Sequence, residues 1–164
     1  MYIYIYIDNK EFTNALSSLP LISIDFIIKD SKDRVLLGLR SNPPAKGKWF
    51  IPGGRVRRME SINNACNRLT KGELGQIINI SDFSLLGIFE HMYTDSAYSD
   101  DIGVHYISLG MCIKGINLKI KDLPRFQHTE YKWFTLEEIQ SLDSVHHRTK
   151  DFFIEDIGLR SIKS

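Results

Sequence analysis

Three features of the sequence predict an α/β domain built in layers. Residues 53–60, Gly53-Gly54-Arg55-Val56-Arg57-Arg58-Met59-Glu60, read as a glycine loop feeding a helix that runs from Ser61 to Leu74. Apolar runs that read as strands lie on both sides of it, Leu21 to Lys29 and Arg34 to Arg40 before, Phe83 to Tyr93 and Val104 to Ile113 after. Further helical patterns close the chain, and strands around a central helix with helices after them define the class. With 164 residues, 43% hydrophobic and 25% charged, the chain fits a single domain over 1–164 and leaves no room for a second.

The central helix is the best-signalled element. Ile62, Ala65, Cys66 and Leu69 fall at i, i+3, i+4 and i+7, Ser61 is placed as an N-cap, and Gly75 suits the left-handed residue after a C-terminus. One face should bury against the sheet, and the other carries Arg68 and Glu73. Before it, Glu11 to Ser18 has the spacing of a short helix with Phe12, Ala15 and Leu16 inward. Asp25 interrupts the strand from Leu21 to Lys29, Asp30 to Asp33 supply turn residues, and the run to Arg40 completes a hairpin. Two prolines between Asn42 and Lys48 remove ladder donors, so this stretch is a loop leading to Trp49-Phe50-Ile51.

After the helix, Thr94 to Gly103 is a polar stretch of the kind that forms a loop over a site. Lys114 to Gln127 is expected to connect with little regular structure, and Tyr131 to Phe134 to form a last short strand. Thr135 should cap Leu136 to Leu142, with Glu137 and Glu138 in the first turn where the helix dipole favours anions. A terminal helix from His146, carrying Phe152, Phe153 and Ile157, should pack on the sheet.

Charge and composition exclude several function classes. Twenty-one basic and 20 acidic residues give a net charge of +1, so no long-range field recruits nucleic acid or an anionic membrane. Cys66 and Cys112 sit in apolar contexts without metal or redox spacing and read as reduced thiols, pointing to the cytoplasm. Residues 1–7 alternate Tyr and Ile but lack a basic segment and meet Asp8 at once, so they read as a strand rather than a signal peptide or membrane span. Left uncovered, such a strand is a sticky edge that a partner chain would cover.

The loop and helix together suggest an anion site, because adjacent glycines expose backbone beside Arg55, Arg57 and Arg58. Gly54, five residues, Glu60, seven residues, Arg68, then Glu73 and Gly75 resemble the Nudix box, a loop-helix that holds a divalent metal against a diphosphate. The box covers about a seventh of the chain. It departs from the usual pattern, which has three glutamates after the arginine at positions filled here by Leu69, Gly72 and Glu73. The variant Arg68-Leu69-Thr70, the preceding Trp49 to Arg55, and the later Gln127-His128 resemble one branch, the GDP-mannose mannosyl hydrolases, from about Pro20 to Phe153. That resemblance implies a mixed sheet sandwiched between helices, a homodimer, and GDP-mannose or another GDP-sugar as substrate.

The resemblance also implies roles. The Gly53 carbonyl, Glu73 and the Gln127 side chain would hold one Mg²⁺ per subunit, with Mn²⁺ able to substitute; hard oxygens with one carboxylate suit this ion. Arg40 and Arg55 would bind the diphosphate, as planar guanidinium groups do. His128 would be the general base, with a neutral imidazole available at cellular pH. Asp25 would lie near the sugar among the catalytic residues, and His91 and Tyr106 would bind substrate around the sugar and diphosphate. Read alone, these residues have plainer explanations: surface cations, a solvated glutamate and loop histidine, and an outward-facing Asp25 beside Ser23. Phe12 would stack on guanine or else pack in the core. Arg57 and Arg58 read as solvated, and His105, His146 and His147 gain no role. The expected reaction is hydrolysis at the sugar C1–O bond with inversion; the rivals are a pyrophosphohydrolase and an inactive binding module.

Overall fold

A computed structural model describes residues 8–94, 102–116 and 118–160. The strand read at residues 2–7 lies outside the described residues, as does most of the loop read from Thr94 to Gly103. The chain opens with helix α1 (Asn9–Leu16), whose Asp8 cap accepts from the Glu11 N–H at 2.9 Å. Eight strands follow among the described residues: β1 (Leu21–Lys29), β2 (Val35–Arg40), β3 (Trp49–Phe50), β4 (Gly53–Arg55), β5 (Ser84–Tyr93), β6 (Val104–Lys114), β7 (His128–Phe134) and β8 (Leu159–Arg160). Helix α2 (Ile62–Leu74) lies between β4 and β5, and α3 (Leu136–Ser141) and α4 (His147–Asp151) follow β7.

The strands form one mixed sheet, and its geometry around β1 creates the site. On one side β1 pairs in parallel with β6 along its whole length, from Leu21 opposite Tyr106 to Lys29 opposite Lys114. Antiparallel pairing then adds β5 and β8. On its other side β1 meets β2 only where Lys29 faces Val35. The expected hairpin turn is present, with Asp30 Oδ1 accepting the N–H groups of Lys32 and Arg34. Beyond that contact the two strands part, and the chain from Trp49 to Arg55 fills the opening. Gly38 and Leu39 of β2 pair with β3, while Ser23 to Asp25 of β1 pair with β4. Pro52 sits between, its carbonyl accepting from the Phe26 N–H at 2.8 Å. Strand β7 covers the outer edge of β2.

Alternation along β1 divides the core into two layers. Ile24, Phe26 and Ile28 pack with Ala65, Cys66, Leu69 and Leu74 of α2. Ile27 packs with Val35, Leu37, Phe89, Phe134, Ile139 and Phe152, so α3 and the end of α4 cover the opposite face. A strand buried on both faces needs a continuous apolar run; each such large side chain contributes roughly 1.5–3 kcal/mol. A third cluster joins Phe12 and Leu16 of α1 to Val104.

Several sequence expectations change here. β1 runs through Asp25 without a break, because its backbone is paired on both sides. β7 starts at His128 rather than Tyr131, so His128 is a strand residue paired with Arg40 instead of a loop residue. The last helix is only five residues long. In α2 the caps are as expected: Ser61 Oγ accepts from the Asn64 N–H at 3.2 Å and Gly75 has φ 75°. Ile62, however, is 40% exposed, while Glu73 is buried. Both cysteines are free, and burial pushes the Cys66 thiol up to about 11.

Candidate active site

The loop before α2 is fixed by one ion pair. Arg68 donates from Nε and Nη2 to the two oxygens of Glu60, each at 2.7 Å, and Nη2 also reaches the Arg55 carbonyl at 3.0 Å. Glu60 accepts the Arg57 N–H as well, and its side chain is fully enclosed. Its carboxyl lies below the usual range: burial opposes the shift, but the Arg68 and Arg57 hydrogen bonds outweigh it. At Gly54 a Cβ would come within 2.6 Å of Leu69 Cδ2, so that side chain would have to turn aside. A Cβ at Gly53 would likewise meet Asp25 Oδ1 at 2.5 Å and the Ile24 carbonyl at 2.4 Å.

The helix presents a single carboxylate, and it is enclosed. Glu73 is 5% exposed. Its Oε1 accepts from Gln127 Nε2 at 2.7 Å and its Oε2 lies 3.1 Å from His128 Nε2. Tyr131 donates its hydroxyl to the Glu73 carbonyl at 3.0 Å, shared with the Pro124 carbonyl at 3.1 Å. Burial raises the Tyr131 phenol further, beyond its ordinary range. The face read as solvated is therefore covered by β7 and the segment before it. His128 is 1% exposed, with Nδ1 buried and without a hydrogen-bond partner. A Cβ on Gly38 would reach the ring at 2.4 Å, so the strand glycine is what admits the imidazole.

Beside this group opens a cavity of about 590 Å³. Gly53, Gly54, Arg55, Arg40 and Gln127 line it, as do Asp25, His91, Tyr93 and Tyr106, whereas Glu73, His128 and Phe12 do not. Arg40 is braced by its own loop, Nε donating to the Pro44 carbonyl at 2.7 Å. Arg55 lies 3.9 Å over the Phe12 ring. Phe12 itself is 4% exposed and packs with Leu16 and Val104, the core placement of its two readings. Asp25 is 7% exposed and accepts from the hydroxyls of Ser108 and Ser23. Burial raises its carboxyl to about 6, against the pull of both serines and Arg40. The outward reading of Ser23 and Asp25 is thus corrected: both face a covered cavity.

His91 and Tyr106 stand directly opposite on β5 and β6. His91 is 2% exposed, its Nε2 has no partner, and burial, with Arg148 next, lowers its imidazole to about 3. Tyr93 completes this wall, its phenol held well above the usual range by burial and then by Asp25. Behind it His146 lies 5.6 Å from Tyr93 and 5.4 Å from Phe50, and its Nδ1 accepts the Arg148 N–H.

A model of the NUDIX domain matches residues 19–155. The chain belongs to the Nudix family. It is 35% identical over 130 residues to the low-salt glycan biosynthesis protein Agl8 of Haloferax volcanii, covering 78% of this chain and 79% of that one. An ADP-ribose pyrophosphatase of Methanocaldococcus jannaschii is 32% identical over 135 residues, 81% of this chain and 73% of the other. Among solved structures, a MutT protein from Methanosarcina mazei Go1 superposes with a TM-score of 0.64 at 25% identity, covering 83% and 92% of the two chains. The Nudix fold, a mixed sheet between helices, is thus the architecture expected from the box. Nudix hydrolases generally use divalent metals such as Mg²⁺, and the donor set here can be tested against that. Among the described residues no three His, Cys, Asp or Glu side chains converge as a metal site. A cation would therefore rest on Glu73 with neutral oxygens, and the Gln127 amide, turned about its last bond, offers oxygen where nitrogen now meets Glu73. One carboxylate with neutral oxygens suits Mg²⁺.

Sequence reasoning missed Ser108, Gly38, Tyr93 and Tyr131 as parts of this Nudix site. Gly38 carried a signal, a glycine inside an apolar strand, which often marks a close approach. Ser108 carried a weaker one, a polar residue between Ile107 and Leu109. No helix among the described residues is long and apolar enough to cross a membrane.

Proposed function

We propose that this Nudix hydrolase cleaves a nucleoside-diphosphate sugar, GDP-mannose being the leading candidate, at the sugar C1–O bond to give GDP and free sugar. The observation that carries this reading is the lone, enclosed carboxylate of α2. Attack on phosphorus needs carboxylates that position metals and water beside the diphosphate, and Leu69 and Gly72 stand where two of them would be. Other polar groups of the cavity, Asp25, His91, Tyr93 and Tyr106, are carried by β1, β5 and β6 and not by the helix. The similarity to a glycan biosynthesis protein favours a sugar nucleotide. In this reading Gly53, Glu73 and Gln127 hold one Mg²⁺, which supplies charge neutralisation to the diphosphate when bound.

Arg40 and Arg55 bind the same diphosphate and stabilise the charge it gains as the bond breaks. Asp25, His91 and Tyr106 bind the sugar. His128 is assigned as the base for the attacking water; in that role its Nε2 must part from Glu73 Oε2, 3.1 Å away, and the ring must reach the cavity that it does not now line. GDP leaves through its β-phosphate oxygen as a good leaving group, so no general acid is required, and a single displacement by water inverts the anomeric centre. We further assign a homodimer, which sedimentation equilibrium would check.

A second reading, pyrophosphohydrolysis, is favoured by the similarity to an ADP-ribose pyrophosphatase. One experiment separates them: turnover of GDP-mannose with Mg²⁺ in ¹⁸O-water. Label in mannose, released first as the β-anomer, supports the proposal. GMP and mannose phosphate, with label in phosphate, establish the second reading. First release of α-mannose would instead require a covalent nucleophile, with Asp25 the first residue to test.

A further inference from the structure

Tyr93 stands two residues after His91 on β5, so both side chains leave the same face of the strand, and both line the cavity. Its ring is held on several sides. The His91 ring lies 6.3 Å away and the Tyr106 ring 6.2 Å, both edge-on, with Phe50 at 6.4 Å and His146 at 5.6 Å, the last tilted by only 33°. The hydroxyl, by contrast, has no hydrogen-bond partner among the described residues and is not sealed from solvent. Burial and then Asp25 keep it protonated, so it offers a neutral donor beside a carboxylate that only accepts.

His146 is the nearest ring behind Tyr93, and it is itself fixed. Its N–H donates to the Trp49 carbonyl at 3.1 Å, its Nδ1 accepts the Arg148 N–H at 3.1 Å, and its ring stacks on His147 at 4.3 Å. It does not line the cavity. Any effect it has on a ligand must therefore pass through Tyr93 or Phe50.

We propose that the Tyr93 hydroxyl hydrogen-bonds the sugar of the bound sugar nucleotide, and that His146 is a positioning residue whose ring holds Tyr93 in place for it. The inference rests on the sugar-nucleotide reading above. Neutral donors suit sugar hydroxyls, whereas the arginines of the cavity suit phosphates. A ring already immobilised loses little freedom when the sugar binds, which is what the packing behind it contributes.

Calorimetry at pH 7.5, in excess EDTA to hold off metal-dependent turnover, compares GDP-mannose with GDP and ADP-ribose with ADP. The quantity read is the affinity for each sugar nucleotide divided by that for its nucleoside diphosphate, taken relative to wild type. Effects on base and shared phosphates then cancel. Tyr93→Phe should lower the quotient about threefold or more for at least one pair, the size of one hydrogen bond. His146→Asn, which keeps a capping side chain for α4 but removes the ring, should lower it similarly. His146→Phe, which keeps the ring and loses the cap, should stay within about twofold of wild type. Burial holds the His146 imidazole at about 4, so neither change alters charge at this pH. Combined with Tyr93→Phe, His146→Asn should lower the quotient no further. An unchanged quotient in Tyr93→Phe would overturn the hydroxyl's role, as would a wild type that binds neither sugar nucleotide. Equal losses in the two His146 variants, or additive losses in the double variant, would overturn the positioning role. Failure of the C1–O reading shows separately, as GMP among turnover products, and leaves these quotients as they are.

Discussion

Replacing Gly38 with alanine tests whether the Glu73–His128 pair is built around that glycine. The added Cβ would lie 2.4 Å from both Cγ and Nδ1 of His128 and 3.0 Å from its Cβ, and Gly38 is buried in β2. Backbone paired on both sides cannot retreat, so the ring must move. Overpacking of this kind costs about 1–3 kcal/mol. Moving the ring also breaks the 3.1 Å contact with Glu73 and leaves a buried acceptor short of a partner, about 1–3 kcal/mol more. A total near 4 kcal/mol lowers the melting temperature by roughly 8–16 °C in a domain of this size. Urea unfolding measures the loss, and a double-mutant cycle assigns it. In a His128→Ala background the two ring contacts at 2.4 Å vanish and only the 3.0 Å contact with the Cβ of residue 128 stays, so Gly38→Ala should cost far less there. Equal cost in both backgrounds would show that the glycine serves something other than the imidazole.

Three further expectations follow from the same contacts. Asp25→Asn should stabilise the protein at pH 7.5 and not at pH 4: the folded carboxyl is raised from 3.8 to about 6, chiefly by burial. Its charge therefore costs nothing below pH 4, and the penalty grows to about 3 kcal/mol as pH rises through 6; parallel melting curves in EDTA would refute this. His91 has the opposite sign, because its imidazole is lowered to about 3. Stability it contributes above pH 6.5 is lost on acidification, so His91→Asn should flatten the decline measured between pH 6.5 and 4. Glu60→Gln should cost about 1–3 kcal/mol by leaving Arg68 with a half-matched partner, and a loss below 0.5 kcal/mol in urea unfolding would remove the ion pair from its structural role.

The elements were largely legible because their signals are local. Ser61 and Gly75 cap α2 where expected, Thr135 forms its capping box with Glu138, and β1 occupies the apolar run from Leu21 to Lys29. What escaped was the partnering of strands, which depends on residues far apart in sequence. The hairpin turn at Asp30 gives no hint that β1 and β2 separate after one pair, yet that separation admits Trp49 to Arg55. Polar residues are hard to place for a related reason. Sequence gives a residue's polarity but not its neighbours: read alone Glu73 looks solvated, and only the family resemblance sets it beside Gln127, 54 positions away, whose amide donates to it. Asp25 likewise finds Ser108 at a separation of 83 residues, through the parallel register of β1 and β6.

Arg57 and Arg58 show where such reading ends. They are the same residue type, adjacent in one loop, and both exposed. Local pattern treats them alike, and a solvated fate is the sensible expectation for each. They part only because Arg57 exchanges backbone hydrogen bonds with Glu60, which Arg68 clamps from eight residues further along, and this turn brings Arg57 alone to the rim of the cavity. What separates them is the folded loop and not the residue type.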